Sequence, residues 1–305
     1  MPLARPSLTL APGGRRSSWT GAAPRYVALD VDGTLVNERP TPDERVLSAV
    51  RALRAAGVRV GLATGRMAAA TDPLLATGAF SGPHVFHNGA LVVAEDGSER
   101  SVLGLTDDEV TAVLALGRAR DDLSFEVYVG RTYLADRDDP RSAAHAALLG
   151  APPSGRITSV HDLAGRTAIK AVAVCFTDAA ARDVVDAVTA LGLAAGPAAS
   201  PATPELRYVN VTRAGVDKGS GIWTAAGTIA VPPEAVVVIG DEANDVPALQ
   251  RAGTAIAMGG AGPAVTDAAH FVAPPFASSG AAVALEALHT LVTEATATAQ
   301  RAPGT

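Results

Sequence analysis

Only one cysteine, Cys175, stands in the chain, inside the apolar run of residues 171–176. A disulfide within the chain is therefore impossible, which fits a reducing compartment, and a cytoplasmic location is expected. The thiol reads as a buried strand residue rather than a nucleophile. No stretch approaches the length of a transmembrane helix, so no membrane role is expected. The first 24 residues carry Arg5, Arg15 and Arg16 but lack the continuous apolar segment of a signal peptide. Residues 1–24 therefore read as a disordered leader, and the polar, Ala-rich residues 296–305 as a flexible tail. An excess of positive charge is missing too. Lys plus Arg number 25 against 31 Asp plus Glu, a formal net charge of −6. That balance gives no general attraction to nucleic acid or anionic lipid, and neither is expected as a partner. Any phosphate this chain binds must be captured by a local site.

What is present is ample core material: 305 residues, 48% hydrophobic and 18% charged. Residues 25–30 form a short apolar run of strand type ending in Asp30. A helix start signal follows, with Thr41 as N-cap, Pro42 at the first helical position and Glu44 completing a capping box. Val46, Leu47, Val50 and Leu53 recur at helical spacing, and Gly57 closes the element. A second strand, residues 58–64, leads through Gly65-Arg66 into another expected helix. A third strand ends near residues 84–89. This alternation predicts a parallel sheet with right-handed crossovers.

After Ala90 the rhythm changes. Asp96-Gly97 signals a hairpin. A helix over 107–119, alternating segments at 124–129 and 132–135, a strand at 168–176, a helix at 178–191 and a strand at 206–211 follow. Residues 192–204, rich in Ala, Pro and Gly, read as a loop. From Val216 the parallel pattern resumes, with a helix from Lys218, a strand over 235–240 ending in Asp241, a helix from Asn244 and a strand over 254–258. The predicted fold class is α/β, a parallel-sheet core over 25–89 and 212–295 interrupted by an inserted α+β domain over 90–211.

Ligands of open parallel sheets bind beyond the carboxyl ends of the strands. Four polar clusters fall near such ends: Asp30-Val31-Asp32, Thr64-Gly65-Arg66, the Lys218 segment, and Asp241 with Asn244 and Asp245. Judged alone, each reads as readily as a loop, a helix cap or a surface charge. Their convergence points to phosphoryl transfer, which needs an in-line nucleophile and a group that handles the leaving group's proton. Asp30 can attack phosphorus, and Asp32 can act as acid and then base. Crowded carboxylates need a cation, and Mg²⁺ prefers hard oxygen ligands. Thr64 and Gly65 offer a hydroxyl and backbone N–H groups to an anion. Lys218 at a helix start opposes the dipole and needs an anionic partner, phosphate or Asp245.

These residues resemble the haloacid dehalogenase-like (HAD) superfamily, in its Cof-type sugar-phosphatase branch. Asp30-Val-Asp-Gly-Thr34, Thr64, Lys218 and Gly240-Asp-Glu-Ala-Asn-Asp245 follow its four motifs in order. Ala63-Thr-Gly-Arg66, Asn88-Gly-Ala90, Gly215-Val-Asp-Lys-Gly219 and Ala257-Met-Gly259 resemble the branch. The resemblance implies a Mg²⁺-dependent phosphatase in which Asp30 forms an aspartyl-phosphate and Asp32 is the acid/base. It implies a Mg²⁺ site at Asp30, the Asp32 carbonyl and Asp241, with Asp245 orienting Lys218 or a metal-bound water. Val31, Thr64, Gly65, Lys218 and Asn244 would hold the phosphate, and the inserted α+β domain over 90–211 would be the cap of a Rossmann-like parallel-sheet core. Gly259-Gly260-Ala261 and Ser278-Ser-Gly280 depart from the usual pattern away from the reacting groups. A small phosphorylated metabolite is the expected partner of a monomer or small homo-oligomer. A phosphomannomutase-like phosphomutase and a non-catalytic sugar-phosphate sensor are the alternatives. His84, His87, Glu126, Tyr128, Arg131, Arg137 and Arg141 are further candidates, and Trp223 reads as core.

Overall fold

The computed structural model describes residues 8–37, 39–198 and 203–301, and the chain divides into two compact units. One comprises Met1–Arg66, Thr71–Ser101 and Asp217–Thr305; the other comprises Met67–Ala70 and Val102–Val216.

The first unit is built on a six-stranded sheet. Its order is Ala11–Pro12, Phe271–Pro275, Thr254–Gly259, Val236–Gly240, Tyr26–Leu29 and Arg59–Leu62. All neighbours are parallel except the first pair. The inner strands read as unbroken apolar runs because helices cover both faces. The helices Glu44–Ala55 and Gly280–Arg301 pack their Val50, Leu53, Leu285 and Leu288 against one face. The helices Lys218–Thr228 and Val246–Arg251 cover the other with Ile222, Ala225 and Leu249. Leu29 pairs with both Ile239 and Leu62, so Asp30, Asp241 and Thr64 emerge at the same edge. The expected third strand, His84–Phe86, touches this sheet through one parallel bridge, Ala63 to Val85, and pairs antiparallel with Leu91–Val93.

The second unit is a five-stranded antiparallel sheet ordered Ala194–Ala198, Arg207–Thr212, Ala168–Cys175, Leu123–Val129 and Thr132–Ala135. Alternation along each strand sends Phe125, Val127, Ala173 and Val209 under the helices Asp107–Arg118 and Asp178–Ala190. The opposite face carries Tyr128, Tyr133 and Tyr208 under the helix Pro140–Leu149. Cys175 is buried among the first set. Together the units give the α/β class with a parallel core and a separate α+β unit.

Several local expectations are corrected. Residues 8–24, read as disordered leader, are fastened to the core. Ala11–Pro12 extends the sheet, and the Trp19 ring meets Phe271 edge-on at 4.9 Å while its N–H donates to Thr254 Oγ1 at 3.0 Å. Arg15 donates to the carbonyls of Leu249 and Ala268, and Arg16 stacks over Phe271. Residues 1–7 lie outside the described residues. The first long helix starts at Glu44 with Asp43 at the N-cap and no side-chain cap, so the box at Thr41 does not form; Glu44 instead takes Arg51 at 2.6 Å. Gly65-Arg66 opens a turn, a 3-10 segment over Ala68–Thr71 and a four-residue helix, not a full helix. Within the expected loop at 192–204, Ala194–Ala198 forms an edge strand, because the strand Arg207–Thr212 offers it a full antiparallel register; residues 199–202 lie outside the description. The last helix carries into the expected tail as far as Arg301, with Thr296 back-bonded to the Val292 carbonyl; residues 302–305 lie outside the description.

Candidate active site

Asp30 is positioned by its strand: its N–H donates to the Ile239 carbonyl at 2.9 Å, and its side chain is buried. Beyond it the chain doubles back, with the N–H groups of Leu35 and Val36 both donating to the Val31 carbonyl. Gly33 makes that return possible at φ +76°, and a Cβ there would stand 2.2 Å from Asp241 Oδ2. Thr34, in the same loop, donates its hydroxyl to Asp241 Oδ1 at 2.9 Å.

Lys218 enters from its helix, whose N-cap is Asp217 in a capping box with Ser220. The ammonium is buried and donates to Asp30 Oδ1 at 2.7 Å, Asp245 Oδ1 at 2.6 Å and Asn244 Oδ1 at 3.4 Å. The anionic partner that its helix position requires is thus supplied twice over. Asp245 spends its other oxygen on the N–H groups of Asp241 and Glu242, at 3.0 and 3.1 Å. Gly240 leaves room for that carboxylate; a Cβ there would lie 2.3 Å from Asp245 Cγ.

Electrostatics follow from this crowding. Burial lowers the affinity of Lys218 for a proton, but Asp245 and Asp30 outweigh it and hold the group above its ordinary range as an ammonium. Burial pushes Asp30 well up; Lys218 opposes that, and Asp245 and Asp241 reinforce it. Asp241 and Glu242 are raised too, by burial first. One ammonium does not balance this group of carboxylates. Asp30, Asp241 and Asp245 offer oxygens that all lie within 4.8 Å of one another, a donor set of hard oxygens that fits a divalent cation.

The Asp32 carboxylate is not among these three and has its own partner. Arg66 grips it with two bonds, Nε to Oδ2 at 2.9 Å and Nη2 to Oδ1 at 2.5 Å, and the carboxylate stays half exposed. Thr64 is buried and its Oγ1 accepts the Arg66 N–H at 3.1 Å. Gly65 lies beside Asn88, whose Oδ1 would be 3.0 Å from a Cβ on Gly65. Asn88 accepts from Asn244 Nδ2 at 3.2 Å. Sequence reasoning placed Thr34, Arg66 and Asn88 inside motifs without giving them partners. Their signal was the motif itself; the direction of a loop side chain does not follow from spacing.

Other candidates settle into structural roles within their own units. His84 is buried, accepts the Leu62 N–H at 3.2 Å, and is held neutral by burial, with its pKa lowered to about 4. Arg141 pairs with Asp139, and Arg137 donates to the carbonyls of Gly117 and Arg120. Glu126 takes His145 at 2.7 Å and the Tyr128 hydroxyl at 3.2 Å inside the second unit. Trp223 packs against the core of the first unit, with Arg251 over its ring. No helix among the described residues is long and apolar enough to cross a membrane.

A strand-end nucleophile candidate, a buried lysine and an oxygen cluster on a doubly wound sheet define a class, and comparison identifies it. A model of the haloacid dehalogenase-like hydrolases matches residues 27–285, and the chain belongs to that family. Among individual relatives, a Bacillus subtilis (strain 168) protein named as a phosphatase, YxeH, is 25% identical over 258 residues, covering 81% of this chain and 92% of that protein. The chloroplastic endoribonuclease YBEY of Arabidopsis thaliana is 24% identical over 242 residues, 76% of this chain; the chain spans only 41% of that longer protein. Among solved structures, BT1666 from Bacteroides thetaiotaomicron, described among HAD phosphatases, aligns with a TM-score of 0.68 at 25% identity, over 87% of this chain and 95% of that one.

Proposed function

We propose that the chain is a magnesium-dependent phosphatase that hydrolyses a small organic phosphate monoester, of the sugar-phosphate class, through an aspartyl-phosphate on Asp30. The observation that carries this reading is the buried ammonium of Lys218 between Asp30 and Asp245, beside Asp241. A lysine held charged at a strand-end carboxylate serves a reaction in which negative charge gathers on a transferring phosphoryl group. The family match over residues 27–285 and the word phosphatase in the name of the Bacillus relative, of which the alignment covers 92%, support the same class.

In the first step an Asp30 oxygen attacks phosphorus, the bond to the alcohol oxygen breaks, and Asp32 gives that oxygen a proton. In the second, Asp32 takes a proton from water, the water oxygen attacks the phosphorus, and Asp30 leaves as a carboxylate with inorganic phosphate released. Arg66 grips both oxygens of Asp32 and so fixes the orientation of the proton-handling carboxylate. Lys218, Asn244, the Thr64 hydroxyl and the N–H groups of Val31 and Gly65 hold the phosphate. Asp30, the Asp32 carbonyl and Asp241 would hold Mg²⁺, with Asp245 fixing Lys218 and the Asp241 loop beside it. Bound there, the ion neutralises charge on the carboxylates and on the phosphoryl oxygens.

A panel of phosphorylated metabolites assayed with Mg²⁺, with EDTA, and with Asp30→Asn tests this. Phosphate release is expected only from the unsubstituted protein with Mg²⁺. Unchanged turnover in Asp30→Asn would sink the covalent mechanism.

A further inference from the structure

Three consecutive residues, His87, Asn88 and Gly89, hold φ of 53°, 53° and 101°. Only the glycine takes that region freely, so the surroundings keep two side-chain-bearing residues there. The Asn88 N–H donates to the Thr64 carbonyl and the His87 N–H to the Arg66 carbonyl, each at 3.1 Å. A Cβ on Gly89 would stand 1.9 Å from the Asp217 carbonyl oxygen, and one on Gly221 would stand 2.4 Å from Gly89 Cα. The turn is therefore wedged between the Thr64-Gly65 loop and the first turn of the Lys218 helix.

What this strained turn delivers is the Asn88 side chain. Its Oδ1 accepts from Asn244 Nδ2 at 3.2 Å, while Asn244 Oδ1 faces the Lys218 ammonium at 3.4 Å. An amide has a donor end and an acceptor end. With Nδ2 engaged by Asn88, the oxygen is the end turned to Lys218. A flipped amide would set its NH₂ against the ammonium and leave the Asn88 oxygen facing another oxygen. Lys218 has no freedom to adjust, since Asp30 and Asp245 already hold it.

We propose that Asn88 is a positioning residue: it fixes the Asn244 amide, and through it the Lys218 edge of the phosphate site. The inference rests on the reading of Asn244 and Lys218 as phosphate-holding groups. Its action is indirect, so a double-mutant cycle separates it from a merely structural role.

The probe is inorganic phosphate, titrated calorimetrically in Mg²⁺ into the unsubstituted chain, Asn88→Gly, Asn244→Ala and the double variant. Glycine keeps the left-handed turn and removes only the amide. Asn88→Gly is expected to weaken phosphate about tenfold, with KM rising by the same factor and kcat little changed, the worth of one oriented hydrogen bond. In the Asn244→Ala background the same change is expected to cost nothing more. Phosphate affinity within twofold of the unsubstituted protein overturns the proposal, as does an equal tenfold loss in both backgrounds. Asn88→Asp, which also tolerates the left-handed region and keeps an acceptor oxygen, is expected to leave the Asn244→Ala penalty intact; loss of that penalty also overturns the role. Binding needs no turnover, so the two readings fail separately. A protein that binds phosphate but hydrolyses no ester loses the phosphatase reading and leaves the cycle readable. One that hydrolyses an ester but binds no phosphate loses the positioning role and keeps the phosphatase reading.

Discussion

Each of the two units buries one lysine, and Lys170 and Lys218 are the only lysines in the sequence. Both lose water to about the same extent, yet they move in opposite directions. Lys218 touches two carboxylates and is held above its ordinary range. Lys170 donates to the neutral Asn210 oxygen at 2.7 Å and lies 5.0 Å from the Tyr128 ring centroid; burial pulls it down to about 8, against a raising pull from Glu126. Burial alone therefore does not decide the charge of a lysine: the two carboxylates in contact with Lys218 outweigh its desolvation, whereas the pull of Glu126 on Lys170 does not. The first unit keeps a cation at the site proposed for phosphate. The second keeps a lysine that gives up its proton at about 8, below the free value, inside a layer of tyrosines.

The largest effect is expected from Lys218→Met. Two buried carboxylates would lose their counter-charge, at a cost of about 3–5 kcal/mol, read by urea unfolding in EDTA. Turnover should fall by about a hundredfold or more. Next comes a difference in pH response. The folded pKa of Lys170 lies below the value of 10.5 for a free lysine, so between about 8 and 10.5 the unfolded chain holds more protons. Stability from this group therefore rises with pH across that window, by on the order of 3 kcal/mol. Lys218 has the opposite sign: its contribution is complete below 10.5 and is lost only as pH rises further. Unfolding curves of Lys170→Met should lack the alkaline gain; if they keep it, the contrast is broken. A smaller effect is expected from the cluster itself. Mg²⁺ at about a hundred times its dissociation constant should stabilise the protein by about 2.7 kcal/mol, and Asp241→Asn should remove most of that shift in Tm. Smallest is Lys170→Met at pH 7, expected within about 1 kcal/mol, because relief of a buried charge offsets the stranding of Asn210.

The sequence made the parallel core legible because strand, helix and strand-end carboxylate repeat in one rhythm. It also showed why Lys218 needs an anion, since a cation at a helix start contradicts the dipole. What stayed hidden depends on partners far along the chain. Trp19 and Arg15 reach Thr254 and Leu249, and a segment rich in Arg, Gly and Pro has no pattern that announces such a clasp. Ala194–Ala198 has poor intrinsic strand propensity and is a strand only because a neighbour's unpaired edge accepts it. Arg66 lies 34 residues from Asp32, and nothing in either motif says that one grips the other.

Gly33 and Gly240 offer the site no functional group, yet they set the dimensions of its most charged space. The carboxylates of Asp241 and Asp245 occupy the volume that a side chain at either position would fill. A single methyl would thus act at a distance, as a shim that changes the bite of an oxygen cage. Mutational maps that look for chemistry in side chains would pass over both positions, although Ala at either is expected to disturb the carboxylate cluster directly.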